Sequence, residues 1–316
     1  PYLTNKDLFS LSELPASLVI LGAGPIALEM AQAFRRLGSE VTVVQRGNQI
    51  LSKEDKDMAD LVQGRLEAEG VRFVLGFAVA EVAPDGPGVL VRGQSAGKPM
   101  EIRGSRLLVA LGRSANTAGL GLEGLGLRVD PGGLDVDARL RTVRPSIFAA
   151  GDVTGRHQFT HAAGYEGGVV LANTVFRLPR KADYAWLPWC TYTDPELASI
   201  GLNEKRAKAA GIEYAVWEEH FAANDRALAE GEALGKLKML VDAREKPIGV
   251  QICGPRAGEL LGVWSAFFAG GMKLSSLAGA VFPYPTLGEI NKRVAGSIMG
   301  RKLFSERVRK GLSLIF

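Results

Sequence analysis

Gly22, Gly24 and Ala27 are the residues of this sequence whose types and spacing most directly imply chemistry. They sit in GAGPIALE with the spacing GxGxxA. In that pattern the first glycine permits a tight turn and the second lets a pyrophosphate approach bare backbone. The small third residue lets a helix pack closely on a strand. Pro25 and Ile26 occupy the first helical turn, where proline is tolerated because its missing N–H would have no intrahelical acceptor. Phosphates are stabilised at such a helix N-terminus. A purely structural glycine turn is the alternative, but the strands on either side argue for a dinucleotide. Gln45 and Arg46 end the following strand, where NAD sites commonly hold an acid for the adenosine ribose. Without a carboxylate there, and with a guanidinium able to grip a 2′-phosphate bidentately, the cofactor reads as NADPH, with NADH still open. Further on, Asp152 follows Gly151 at the end of the apolar run 147–150, where a carboxylate can accept from a sugar hydroxyl. Thr160 reads as the N-cap of a helix whose positive end can face developing negative charge. Cys190 and Cys253 are the two cysteines. They are far apart in strand-like stretches, which implies neither a disulfide framework nor a metal cluster, and both read as buried structural thiols.

These residues need elements to hold them. Residues 18–21 form a short apolar run of the kind buried in a parallel sheet, and Ile26, Met30, Ala33, Phe34 and Leu37 recur with helical period before Gly38. Residues 41–44 give the second strand. Residues 1–14 read as an irregular N-terminal linker. Ser52 with Asp55 three positions later reads as a capping box for a helix carrying Met58, Leu61, Val62 and Leu66 on one face. A strand at 71–75, an antiparallel meander over 77–103 and a return strand at 107–111 complete a nucleotide domain. Beyond it, 147–150 reads as a strand and 160–176 as a helix. From about residue 186 the pattern is α+β, with paired strands at 236–241 and 248–253. Helix 257–269 is apolar nearly all round, which points to a subunit interface or, alternatively, to the central helix of a monomer.

At 316 residues, 47% hydrophobic and 23% charged, the chain has ordinary globular composition. A net charge of +4 without a basic block argues against a nucleic-acid partner. No apolar run approaches the roughly 20 residues of a membrane span, and no signal peptide opens the chain, so it reads as cytoplasmic. The basic, amphipathic tail 301–316 reads as a terminal arm packed on a dimer rather than as a membrane-surface helix.

The order GAGPIALE, VALGRSANT, IFAAGDVTG, YTDPELASIGL and FPYPTLGEINKR resembles the class I pyridine nucleotide-disulfide oxidoreductases, and mercuric-reductase-like members most. The resemblance implies an NAD(P)H-dependent flavoprotein in which hydride passes through FAD to a redox disulfide and then to an acceptor. It implies an α/β fold with four parts. These are the linker 1–14, a Rossmann-type NAD(P) domain with a β-meander (15–113), the carboxyl-terminal part of an FAD domain (114–183) and an α+β dimerisation domain (184–316) that forms a homodimer. By the same resemblance Glu29 lies near the nicotinamide, and Gly112 and Arg113 belong to the strand-to-loop motif. Asp152 holds the ribityl chain of FAD, while Thr160, His161 and Ala162 begin a helix beneath the flavin.

Two departures qualify this. The family's amino-terminal FAD motif and CxxxxC pair are absent and the chain begins at Pro1, so it is expected to be a portion of a longer flavoenzyme, inactive and colourless alone. A catalytically inactive dinucleotide-binding dimerisation module is the alternative. Tyr284 stands where most disulfide reductases have the histidine of a His–Glu pair, while Glu289 keeps its place. A phenol with an ordinary pKa near 10 is a poor proton shuttle at neutral pH, which disfavours dithiol–disulfide substrates. Mercuric reductases resemble this sequence in carrying tyrosine there, but they also end in a cysteine pair that residues 311–316 lack. Family members often have a cis bond at the position of Tyr284-Pro285.

Overall fold

In the computed structural model, residues 2–130 and 132–312 are described, and they divide into two compact units, 1–111 with 188–316 and 112–187. The first unit opens with β1 (Tyr2–Leu3), β2 (Ser17–Leu21), α1 (Pro25–Leu37), β3 (Glu40–Val44), α2 (Lys56–Ala68) and β4 (Arg72–Val74). The meander β5 (Phe77–Asp85), β6 (Gly88–Ser95) and β7 (Lys98–Gly104) and the return strand β8 (Arg106–Val109) follow. The strands pair in the parallel order β1-β8-β2-β3-β4.

Both faces of this sheet are covered, which is why its strands read as continuous apolar runs. Leu18, Ile20, Val41 and Val43 point toward Ala27, Leu28 and Ala31 of α1 and Met58, Val62 and Leu66 of α2. Val19, Leu21 and Val44 point the other way, onto Phe77, Val89, Val91 and Ile102 of the meander. The sequence reading of residues 1–14 as a linker is corrected: Tyr2 and Leu3 pair with Leu107 and Leu108, and Leu3 and Leu8 are buried. Two residues are too few to show a period in sequence, so that edge strand is visible only in its pairing.

The second unit contains β9 (Val129–Asp130), β10 (Gly133–Leu134) and α3 (Thr160–Thr174), around a core of Leu122, Leu127, Leu134, Val136, Leu140, Ala149 and Val169. Two expectations change here. The run 147–150 forms one bridge, Arg141 with Phe148, rather than a sheet strand. Helix α3 is capped by Phe159, not Thr160, because the carbonyl of Phe159 already accepts from Ala163 N at 3.0 Å.

The first unit resumes with β11 (Trp189–Thr191), β12 (Glu196–Gly201), α4 (Glu204–Ala209), β13 (Ala215–His220), α5 (Asp225–Glu230), β14 (Lys236–Val241) and β15 (Pro247–Gly254). It ends with α6 (Ala257–Ala269), α7 (Leu274–Gly279), α8 (Glu289–Leu303) and α9 (Glu306–Leu312). Its antiparallel sheet has the order β11-β12-β15-β14-β13. Helix α6 has the predicted bounds, but its apolar residues find cover within the chain. Leu261, Trp264, Phe267 and Phe268 are buried, and the indole of Trp264 donates to Asn291 Oδ1 of α8 at 2.8 Å. Its apolarity therefore does not by itself demand a second subunit. Residues 313–316 of the basic tail lie outside the described residues.

The capping box at Ser52 is also corrected. Asp55 is the N-cap of α2, but its carboxylate does not cap that helix. It accepts instead from the N–H groups of Glu204 and Lys205 at the start of α4, both at 3.1 Å. A partner distant in sequence outcompetes the local one, and residues 53–57 thereby join the nucleotide domain to the α+β sheet.

Candidate functional site

Strand β2 delivers its chain to a turn at Gly22, where φ is +102° and an added Cβ would lie 2.5 Å from the carbonyl oxygen of Ala110. Only glycine meets that backbone without strain. Gly24 differs. It caps α1 in extended conformation, no side chain caps the helix, and no atom lies within 4 Å of where its Cβ would be. The first-turn N–H groups of Ile26 and Ala27 lack intrahelical acceptors, so an open, electropositive helix end faces empty space. Ala27 is fully buried against the sheet, while Pro25 and Ile26 are exposed. A cradle with glycine at the turn, space at the second glycine and a small third residue fits a dinucleotide pyrophosphate.

Around it, Gln45 is half-buried and its backbone bridges Val74 O and Phe77 N, each at 3.0 Å. Arg46 is exposed at the end of β3. Glu29, half-buried on α1, accepts from the backbone N–H of Tyr192 at 2.9 Å. Burial pushes its carboxyl up from the ordinary range, and that hydrogen bond partly offsets the push.

In the second unit Gly112 adopts φ +139°. Arg113 beside it ion-pairs with Asp152 Oδ2 and donates to Gln158 O at 3.1 Å. One oxygen of Asp152 is thus committed and the other is left for a hydroxyl. Glu166, which the sequence reading missed, is fully buried beneath this loop. It accepts from Gly151 N at 2.5 Å and from the Tyr184 hydroxyl at 2.7 Å. Helix α3 starts with Thr160 and His161 exposed and Ala162 buried, and no side chain caps it. His161 stacks on Phe159 with centroids 5.2 Å apart. An uncapped helix end beside a half-committed carboxylate fits a flavin's anionic ring and its polyol chain.

Tyr284 and Glu289 stand at the entrance to α8. The Tyr284-Pro285 bond is cis, as expected, and Asp194-Pro195 is cis as well. Tyr284 is 71% exposed, and its hydroxyl donates to Asp225 Oδ2 at 2.8 Å. Glu289 Oε2 accepts from Thr286 N at 3.3 Å. Asp225 carried no signal in the sequence, because an acid at the start of a helix is commonplace.

The polar joint between the nucleotide domain and the α+β sheet was also missed. Lys238 on β14 is fully buried, with Nζ at 2.8 Å from Asp55, 2.6 Å from Asp57 and 3.0 Å from Glu204. The three acids are close enough to hold a metal ion, but the ammonium is already the cation among them. Burial alone would lower the pKa of Lys238; the hydrogen bonds to Asp55, Asp57 and Glu204 outweigh it and raise the value. Beside it, Glu54 accepts from Trp189 Nε1 at 2.7 Å, Ser199 Oγ at 2.9 Å and Gln251 Nε2 at 2.7 Å. Aiming its amide nitrogen at that carboxylate leaves Gln251 Oε1 buried without a partner. The opposite orientation would set oxygen against carboxylate.

Cys253 is buried, as the sequence indicated, whereas Cys190 is only half-buried. Burial pushes the Cys253 thiol up to about 12. Burial, and then the carboxylates of Glu196 and Glu29, raise Cys190 as well. Because the thiolate is the reactive form, neither is expected to be alkylated by iodoacetamide in the native protein at about pH 8, and both should be after unfolding. Mass spectrometry of the labelled chain checks this.

Comparison with known proteins places this geometry in context. The family model for pyridine nucleotide-disulphide oxidoreductases matches residues 1–167, and the model for the dimerisation domain of the same group matches residues 187–295. Dihydrolipoyl dehydrogenase of Geobacillus stearothermophilus is 35% identical over 300 residues, covering 94% of this chain and 64% of that protein. Mercuric reductase of Staphylococcus aureus is 32% identical over 290 residues, covering 91% and 53%. Among solved structures, the HOCl-induced flavoprotein disulfide reductase RclA of Escherichia coli is similar, with TM-score 0.86 and 29% identity over 93% of this chain and 68% of that one. The chain thus spans just under two thirds of the dehydrogenase and about half of the mercuric reductase.

Proposed function

Because the chain belongs to the pyridine nucleotide-disulphide oxidoreductase family, we propose that it forms the dinucleotide-binding and subunit-interface portion of an FAD-dependent, NADPH-preferring oxidoreductase similar to mercuric reductase. In this reading residues 15–113 bind the dinucleotide, 114–183 contribute to the flavin site and 184–316 form the homodimer. In the same reading the protein is cytoplasmic. No helix among the described residues is long and apolar enough to cross a membrane.

The observation that carries the reading is the open space above Gly24 at the uncapped start of α1. When bound, the nicotinamide supplies a hydride and the flavin relays two electrons toward a disulfide. The chain's own residues bind and orient. Gly22, Gly24 and the first turn of α1 hold the pyrophosphate, Arg46 takes the 2′-phosphate with Gln45 beside it, and Glu29 braces the nicotinamide end. Arg113 and Asp152 hold the flavin's polyol, and Thr160, His161 and Ala162 set the helix end against its ring. Tyr284 and Glu289 complete the partner subunit's site. The family relationship favours this over a non-catalytic module.

Calorimetric titration with NADPH and NADH tests the cofactor assignment. Arg46→Glu is expected to weaken NADPH about tenfold or more, by losing a charge-assisted contact and adding repulsion, while sparing NADH. Unchanged NADPH affinity in the variant would remove Arg46 from the site.

A further inference from the structure

Tyr284 is well exposed, yet its hydroxyl is not free to turn. Asp225 begins α5 and faces it, and the neighbouring Asn224 fixes that edge by donating from Nδ2 to Thr286 O at 3.2 Å and accepting from Ala227 N at 3.0 Å. From α8, Arg293 donates to Ala223 O, while Glu289 holds Thr286 N. Arg226, a further charged side chain on this edge, is occupied by Glu230 at 2.5 Å, and Arg293 also lies 3.6 Å from Glu219. Two segments distant in sequence, 223–225 and 284–289, are therefore clamped together under the phenol.

A phenol has one proton to donate. Here the Asp225 carboxylate accepts that hydrogen bond, so the rest of the phenol oxygen offers lone pairs only, and Glu289 is near enough to add its negative charge. Resting on the proposed role of Tyr284, we propose that Asp225 is a positioning residue that turns Tyr284 into an obligate hydrogen-bond acceptor. The substrate group that meets this face is then a hydrogen-bond donor or carries positive charge. An anionic group that must itself accept a proton or hydrogen bond is turned away by two carboxylates.

The phenol proton should leave less readily with Asp225 ionised beside it, and Tyr284 is shifted above the ordinary tyrosine value, chiefly by that hydrogen bond. The test uses the whole chain labelled with carbon-13 at the tyrosine ζ carbons, with the Tyr284 resonance assigned by Tyr284→Phe. In Asp225→Ala and in Asp225→Asn, which keeps the side chain's size and guards against misfolding of the first, the titration midpoint of Tyr284 is expected to fall by about one pH unit. Cadaverine and glutarate, a dication and a dianion of equal carbon count, are the probes. Cadaverine should shift the wild-type resonance at a concentration at least about fivefold lower than glutarate, a preference of about 1 kcal/mol, and Asp225→Ala should lose it. An unmoved midpoint in both variants overturns the positioning role, and tighter binding of glutarate than of cadaverine to wild type overturns the acceptor assignment. Neither result bears on whether Tyr284 takes part in turnover. That is read separately from Tyr284→Phe in the longer flavin-containing enzyme of which this chain is proposed to be a portion, where unchanged kcat and KM would remove the site reading while leaving the titration result standing.

Discussion

Lys238→Met is expected to lower the free energy of unfolding by about 3–5 kcal/mol, the usual cost of removing one partner from a buried ionic cluster. Lys238 is the fully buried ammonium among Asp55, Asp57 and Glu204, and methionine fills its volume without supplying charge. The acids are left facing one another. Lys56→Met is the control: Lys56 and its partner Asp60 are both exposed, and about 0.5 kcal/mol or less is at stake. Urea unfolding followed by tryptophan fluorescence measures both.

The pH dependence separates lost charge from lost packing. Burial would raise Asp57 and Glu204, but Lys236 and Lys238 for the former, and Lys238 with Tyr214 for the latter, hold both below the ordinary carboxylate range. Their folded values lie below their unfolded ones. They therefore contribute stability above about pH 4 that is lost as pH falls through the lowered folded values. In Lys238→Met the share that Lys238 supplies is gone, while Lys236 still pairs with Asp57, so the gap between wild type and variant should narrow on acidification. A gap independent of pH would mean that packing, not charge, is what the variant lost.

Gly24→Ala and Gly22→Ala are expected to separate binding from folding. At Gly24 the backbone is extended, with φ −81° and ψ −179°, and a methyl group meets nothing. Any residue adopts that conformation, so stability should change by less than about 1 kcal/mol. The methyl group would nevertheless occupy the space a pyrophosphate needs, and dinucleotide affinity should fall about 10- to 100-fold, equivalent to roughly 1.4–2.8 kcal/mol. At Gly22 the φ of +102° and the 2.5 Å approach to Ala110 O strain the folded chain itself. Strain of this kind costs about 1–3 kcal/mol, so stability and binding should fall together. Thermal unfolding with NADPH titration on the same samples resolves the two. Normal affinity in Gly24→Ala would show that the pyrophosphate lies elsewhere.

Local sequence determined the parts of this protein whose chemistry is local. The glycine spacing, the one-sided helix after it and the apolar strands of a doubly covered sheet are each written within a few residues, and the structure carries them with little change in bounds. The strand pair around residues 242–246 and the limits of α6 were legible for the same reason, as were Gly22 and Gly24 as candidates, whereas Tyr284 and Glu289 were named only through the family resemblance.

What only the tertiary structure decided are pairings across long separations. Asp55 caps α4 rather than its own helix because folding brings Glu204 and Lys205 to it. Lys238, in a strand whose lysines alternate with Leu237 and Met239, looks like one of a solvated row until Asp55, Asp57 and Glu204 close over it. Glu166, Asp225 and the two-residue strand at Tyr2–Leu3 have the same character: each is an ordinary residue in sequence, given its role by a partner no spacing rule can name. Periodicity reports which face of an element is buried, but the partner that buries a charged side chain, and so decides whether it is stabilised or only solvated, is set by the fold as a whole.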